Sequence, residues 1–418
     1  MQGEDMSAQQ STFGFLGRPG DPLPPARPED VGLSSERLGR IRSVLEADIV
    51  AGKMPGGVLA IARRGKLAVL ETYGMRDTAA GVAMTADSIF NIASMTKPVT
   101  AVAALQLIEQ GRLFADDPVA TYFPQFSKMR VAVLDEAGQK IVETVPAERQ
   151  ITLQDLMRHT SGLIYGGRGA TAVHKLYPEG SGAAGARMTG AEFIEKLASL
   201  PLLHQPGKVW DYGFGLDVLG LVIEKVTGAS LGQYLREHVF APLGMDDTGF
   251  LVPAEKAPRY AQGFNPSDGP YLHDARTPLK FECGGACLAS TATDYLRFAL
   301  MLLNRGRFAG ERVLARKSVE YMISNHIDDD KVENRIVVAD PTRADYGFGL
   351  GLAVRTKSGI VPMLGSVGEF NWPGAGGTNW WADPREDMVV VFMAVTPGPI
   401  RWHYRRLINA LVYQAIAD

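Results

Sequence analysis

The chain has 418 residues, 46% of them hydrophobic and 21% charged, with a formal net charge of −3. At about 150 residues per domain this is two to three domains' worth of soluble globular chain, and it has no basic block of the kind a nucleic-acid binder presents. Its two cysteines, Cys283 and Cys287, are too few for a disulfide framework and are expected as buried small residues in a reducing, cytoplasmic setting.

Residues 1–29, rich in Gln, Pro and Gly, read as an irregular tail; Phe13-Gly14-Phe15-Leu16 is too short for a secretory core. Ser34 is the predicted cap of a helix that carries Leu38, Ile41, Leu45 and Ile49 at spacings of three and four. A β-hairpin follows, 56–62 and 67–73 about a turn at Arg64-Gly65. Asn91 to Thr100 then leads into an apolar helical pattern through Leu105 and Ile108. From Gly111 to Cys287 the texture changes. Helical patterns at 153–159, 190–200, 216–226 and 231–239 alternate with Gly/Pro-rich connectors, and the glycine-rich stretch 164–188 is expected to be mobile. Asp328-Asp329-Asp330 reads as a solvated turn. Residues 346–354 read as one glycine-containing strand; 377–382 and 388–395 are strands joined by a turn at 383–387. A last helix starts near Pro399, with Tyr404, Leu407, Ile408 and Leu411 on one face. The apolar run 389–395 is far too short to span a bilayer. Strands at both ends with helices between them predict an α+β fold. After the 1–29 tail, 30–112 and 286–418 form one antiparallel sheet flanked by helices, interrupted by a mostly helical insert, 113–285.

Ser94-Met95-Thr96-Lys97 sets a hydroxyl and an amine three residues apart at a helix start, hence on one face. A lysine partly desolvated there can give up its proton and accept one from the hydroxyl. The helix N-terminus also offers the Ser94 amide to a developing oxyanion. By itself the tetrad is weak. Gly228-Ala229-Ser230-Leu231-Gly232 matches the nucleophile elbow G-x-S-x-G, but the elbow needs a preceding strand. Here the preceding residues have helical periodicity, so Gly228 reads as a C-cap and Ser230 as the next N-cap. The seven histidines are scattered without metal-ligand spacing, so no metal is expected.

Two further segments sharpen the reading. His204 to Gly215 contains Trp210-Asp211-Tyr212-Gly213-Phe214, a loop entering a helix, and Gly365 to Gly377 contains Trp372-Pro373-Gly374-Ala375 before a strand. With Ser94-x-x-Lys97, and with Leu156-Met157-Arg158-His159-Thr160-Ser161-Gly162 between them, this order resembles the family VIII carboxylesterases, relatives of class C β-lactamases and D-Ala-D-Ala peptidases. The resemblance implies a β-lactamase-like fold, Ser94 as nucleophile, Lys97 as its activating partner and Tyr212 as the group that passes the proton to the leaving alcohol. It also implies that Ala375 supplies the second oxyanion N–H beside that of Ser94. Trp372 stands where the lactamases carry Lys, and Phe214 where they carry Asn. With Gly374, these two are expected on the substrate-binding wall, favouring a neutral, apolar ester. Pro373, in place of a glycine, removes one backbone donor there.

The expected activity is hydrolysis of short-chain carboxylic esters through a Ser94-bound acyl-enzyme, with weak β-lactam hydrolysis beside it. The expected partner is a small-molecule ester, with no cofactor, nucleic acid or membrane. The alternatives are a class C-type β-lactamase or D-Ala-D-Ala peptidase, and a non-catalytic binding scaffold of the same fold.

Overall fold

In the computed structural model, residues 23–262, 272–327 and 330–418 are described. Most of the expected tail, Phe13 to Leu16 included, and Asp328-Asp329 of the expected acidic turn lie outside them. The Ser34 hydroxyl accepts the Arg37 N–H at 3.3 Å and starts α1, Ser35–Val50, which buries Leu38, Ile41 and Leu45. The hairpin forms as β1, Gly56–Arg63, and β2, Lys66–Asp77, turning where Arg64 (φ 54°) and Gly65 (φ 70°) both take left-handed conformations. Then come β3, Val82–Ala83; α2, Thr96–Glu109; α3, Gly215–Thr227; and α4, Ala292–Leu303. The C-terminal part supplies β4, Gly347–Phe348; β5, Ala353–Val354; β6, Phe370–Asn371; β7, Asn379–Asp383; β8, Met388–Ala394; and α5, Ile400–Tyr413.

These eight strands form one antiparallel sheet, in the order β4-β5-β6-β7-β8-β1-β2-β3. The two ends of the chain meet at β8–β1, where Ala60 lies opposite Val391. Both strands are buried along their whole length because each sheet face is covered. Alternation divides their side chains. Leu59, Ile61, Val390 and Phe392 point to a core shared with α1 and α5. Val58, Ala60, Val389 and Val391 point to a second core that runs through Val102 and Leu105 of α2 into Leu219 and Val222 of α3. That second core is continuous from the sheet into the segment 113–285.

Four expectations are corrected. Residues 346–354 are two short strands, β4 and β5, paired with each other. The chain reverses at Gly351 (φ 78°), whose amide donates to the Met157 carbonyl at 2.8 Å. Segment 113–285 also carries a hairpin, Arg130–Leu134 with Ile141–Pro146, and the helix at Leu231–Leu235 runs into a π-helical turn, Arg236–Phe240. The stretch 164–188 is packed: Tyr165, Val173, His174 and Tyr177 are buried and Ser181–Arg187 is a helix. Its glycines serve close approach, since a Cβ on Gly185 would lie 2.9 Å from the Cys283 sulfur. Cys283 and Cys287 are buried as expected but bonded to each other, their Cα atoms 5.4 Å apart. Among the described residues no helix is long and apolar enough to cross a membrane.

Beside β6 the buried Glu369 carboxyl accepts from Tyr346 (3.0 Å), Asn371 Nδ2 (3.1 Å) and Tyr413 (3.3 Å). Burial pushes it up to about 7, against the pull of Arg343. A carboxyl held above its unfolded value of 4.5 binds its proton more tightly in the native state. Its stabilising contribution is therefore complete below pH 4.5 and lost as the pH rises to about 7. Glu369→Gln removes that titration. The Tm of the variant relative to the parent is expected to rise by a few degrees between pH 4.5 and 7.5 in thermal melts; a pH-independent difference would overturn this.

Candidate active site

Phe90–Asn91 pairs with Ala289–Ser290, and the chain then turns sharply. Ala93 takes φ 44°, a strained value for a residue with a Cβ, and Asn91 Oδ1 holds its N–H at 2.8 Å. Ser94 thus sits in a 3₁₀ turn, Ala93–Met95, just ahead of α2 rather than inside it. Lys97, in the first turn of α2, is fully buried beneath it, while Ser94 is 8% exposed. The Lys97 ammonium has three donors and three acceptors: the Gly285 carbonyl at 2.7 Å, the Tyr165 hydroxyl at 3.1 Å and Ser94 Oγ at 3.4 Å.

Behind this amine lies a buried carboxylate, Asp217, in the first turn of α3. Its Oδ2 accepts from Ser181 Oγ (2.8 Å) and Tyr165 (3.3 Å), and its Oδ1 accepts the Gly285 N–H (3.0 Å). Burial raises the Asp217 pKa, opposed by the Lys97 charge and these donors. Burial and the Asp217 charge hold the Tyr165 phenol well above its ordinary value, so Tyr165 stays protonated. Tyr165 and the backbone of Gly285, through its carbonyl on one side and its N–H on the other, therefore link amine and carboxylate without direct contact.

Tyr212 is turned differently. Its ring centre lies 4.4 Å from the Lys97 amine and its oxygen accepts the Trp372 indole N–H at 2.9 Å. His159, at φ 58° and fully buried, packs 4.7 Å from the ring. Burial first, then the Lys97 charge, keeps that imidazole neutral. Gly213 is required next: a Cβ there would be driven into the Leu163 carbonyl.

A cleft of about 610 Å³ opens over these groups, lined by Ser94, Tyr165, Tyr212 and Ala375 among others. Of the expected residues, Ser94, Tyr212 and Ala375 are thus on the cleft wall, with Lys97 below. Trp372, Gly374 and Phe214, expected on the substrate-binding wall, sit behind it. The Trp372 N–H is spent on Tyr212. Phe214 packs its buried ring 4.5 Å from that of Tyr165. Gly374 belongs to a tight turn, its N–H on the Thr378 carbonyl (2.8 Å) and its carbonyl on Arg405 (2.6 Å). Ser230 caps a helix by accepting the Gln233 N–H at 3.2 Å, and Gly228 ends the helix before it at φ 75°. Tyr165, Ser181, Asp217 and Gly285 were not singled out from sequence. Tyr165 stands just beyond the Leu156–Gly162 stretch, and Asp217 is a lone acid in an otherwise apolar run, which is the one signal it gave.

Residues 41–413 match the Beta-lactamase family over their whole length. The chain belongs to the Beta-lactamase family. Among relatives in that family, it is 40% identical over 355 residues to Protein Rv1367c of Mycobacterium tuberculosis, covering 82% of this chain and 86% of that one. It is 29% identical over 378 residues to Esterase EstB of Burkholderia gladioli, covering 85% and 90%. Among solved structures, EstCE1, described as a hydrolase with promiscuous acyltransferase activity, superposes with a TM-score of 0.75 at 24% identity, covering 90% of this chain and 99% of that one. The fold is therefore the Beta-lactamase fold, its antiparallel sheet built from both termini and flanked by helices, and the family VIII-like resemblance agrees with these relatives.

Proposed function

We propose that this Beta-lactamase-family chain is a serine carboxylesterase that cleaves short-chain esters through an acyl-enzyme on Ser94. The observation that carries the reading is the Lys97 amine 3.4 Å from Ser94 Oγ at the floor of an open cleft. In its neutral form that amine takes the Ser94 proton as Oγ bonds to the ester carbonyl carbon. The amides of Ser94 and Ala375 hold the tetrahedral oxyanion. Collapse breaks the bond to the alkoxide, which leaves with a proton delivered through Tyr212. Because the Trp372 N–H occupies one lone pair of the Tyr212 oxygen, that hydroxyl's own hydrogen is free to point into the cleft. Water then enters by the reverse route, giving up its proton and releasing the acid. The reaction needs no cofactor. The reading takes the cleft to lie between a sheet domain, 30–112 with 286–418, and the insert 113–285, in a cytoplasmic protein. The name of EstB supports ester hydrolysis; the family match keeps weak β-lactam hydrolysis as a side activity.

The test is covalent. A fluorophosphonate probe is expected to label the chain once, on Ser94, and to leave Ser94→Ala unlabelled, as read by peptide mass mapping. An adduct on Ser230, or none, overturns the proposal. Rates on p-nitrophenyl butyrate are expected to exceed those on nitrocefin; the reverse order makes the chain a β-lactamase.

A further inference from the structure

The open wall of the cleft is charged. Arg168 follows Tyr165 in the turn Gly166–Arg168, and its guanidinium carbon lies 4.8 Å from the centre of the Tyr212 ring, with Nη1 on the Ala339 carbonyl at 3.1 Å. Since the Lys97 amine lies 4.4 Å from that same centre, the guanidinium stands within about 9 Å of the amine beneath Ser94. Arg401, in the first turn of α5, lines the same cavity, with Nη1 on the Gly398 carbonyl at 2.6 Å. Among the described residues neither has an acidic side chain within ion-pair distance.

Two of the nearby acids are committed elsewhere. Asp211 pairs with Arg335 (3.0 Å) and His204 (2.9 Å), and Asp340 pairs with Arg405 (2.7 Å). Glu179 stands exposed on the cleft wall. Burial, and after it the charge of Arg168, loosens the Arg401 proton, so the two cations feel each other. Two like charges facing one cavity raise the energy of the empty site and lower that of an anion-filled one. The expectation of a neutral ester rested on Trp372 and Phe214, and both rings are buried behind the tyrosines.

We propose that Arg168 and Arg401 form an anion subsite beside Ser94 that takes a carboxylate carried by the substrate, so that the preferred substrates are acidic esters such as half-esters of short dicarboxylic acids. This rests on the esterase reading above. The reach is suitable: in an extended glutaryl group the free carboxylate lies about 5 Å from the reacting carbonyl. Arg168 and Arg401 bind and orient; neither takes part in proton transfer.

Two matched pairs test it: mono-p-nitrophenyl glutarate against p-nitrophenyl pentanoate, with the carboxylate on the acyl side, and 4-carboxyphenyl butyrate against phenyl butyrate, with it on the alcohol side. In one pair the acidic member is expected to have the higher kcat/KM, which assigns the side. That preference is expected to fall about tenfold in each of Arg168→Gln and Arg401→Gln, and to shrink as salt is raised. Preferences at or below one in both pairs, or unmoved by both substitutions, overturn the subsite. Calorimetric titration of glutarate into Ser94→Ala reads the subsite without chemistry; binding there is expected and should weaken about tenfold when Arg168→Gln is added. If none of the four esters turns over, or turnover survives Ser94→Ala, the esterase reading falls while the titration still decides the subsite.

Discussion

Lys97→Ala is expected to lower kcat/KM for p-nitrophenyl butyrate by roughly a thousandfold, within the range lost when a positioned base is removed. Lys97 is the basic side chain in hydrogen-bond contact with Ser94 Oγ, and His159 cannot replace it, because its ring packs against Tyr212 and Trp210. The substitution also strips Asp217 of the cation that draws its pKa down. The carboxyl then sits still further above its unfolded value of 3.8, so the stability of the variant should fall as the pH rises from there. Activity is therefore to be measured near pH 6 on protein shown by circular dichroism to be folded. A folded variant that keeps more than a tenth of parent activity, or still takes the fluorophosphonate, would remove Lys97 from the mechanism.

The two phenols around Lys97 are expected to separate cleanly. Tyr212→Phe should reduce kcat by about a hundredfold or more with little change in KM, since it deletes the one cleft-facing O–H assigned to the leaving group. Tyr165→Phe should cost about tenfold. Lys97 keeps Gly285 and Ser94 as acceptors, and Asp217 keeps Ser181 and the Gly285 N–H. Steady-state kinetics on both variants decide the matter. The geometry makes the comparison sharp, because the phenol that accepts from Lys97 is Tyr165, whereas the Tyr212 oxygen is bound to Trp372. If Tyr165→Phe is the more damaging, the proton passes through Tyr165 and Tyr212 becomes the supporting group.

Much of the architecture was legible because its signals are local. The cap at Ser34, the hairpin about Arg64-Gly65 and the apolar face of the last helix each follow from contacts within a few residues. Ser94 and Lys97 were legible for the same reason, being neighbours on one turn. The failures share a cause. Gly351 reverses the chain at a positive φ where its amide reaches the Met157 carbonyl and a Cβ would lie 3.0 Å from both Ala101 Cβ and the Lys97 carbonyl, residues far away in sequence. The glycine-rich stretch 164–188 looked loose, yet it packs because its glycines admit Cys283 and its neighbours.

Spacing along the chain was enough to place the ends of the sheet, the helices that cover it and the Ser94 hydroxyl beside the Lys97 amine, since it settles such near neighbours. Which buried acid faces that amine, which phenol touches it, and where two arginines stand in the cleft were decided only by tertiary packing. Asp217, Tyr165, Arg168 and Arg401 come from segments remote from Ser94, and only the fold sets them within reach of the site.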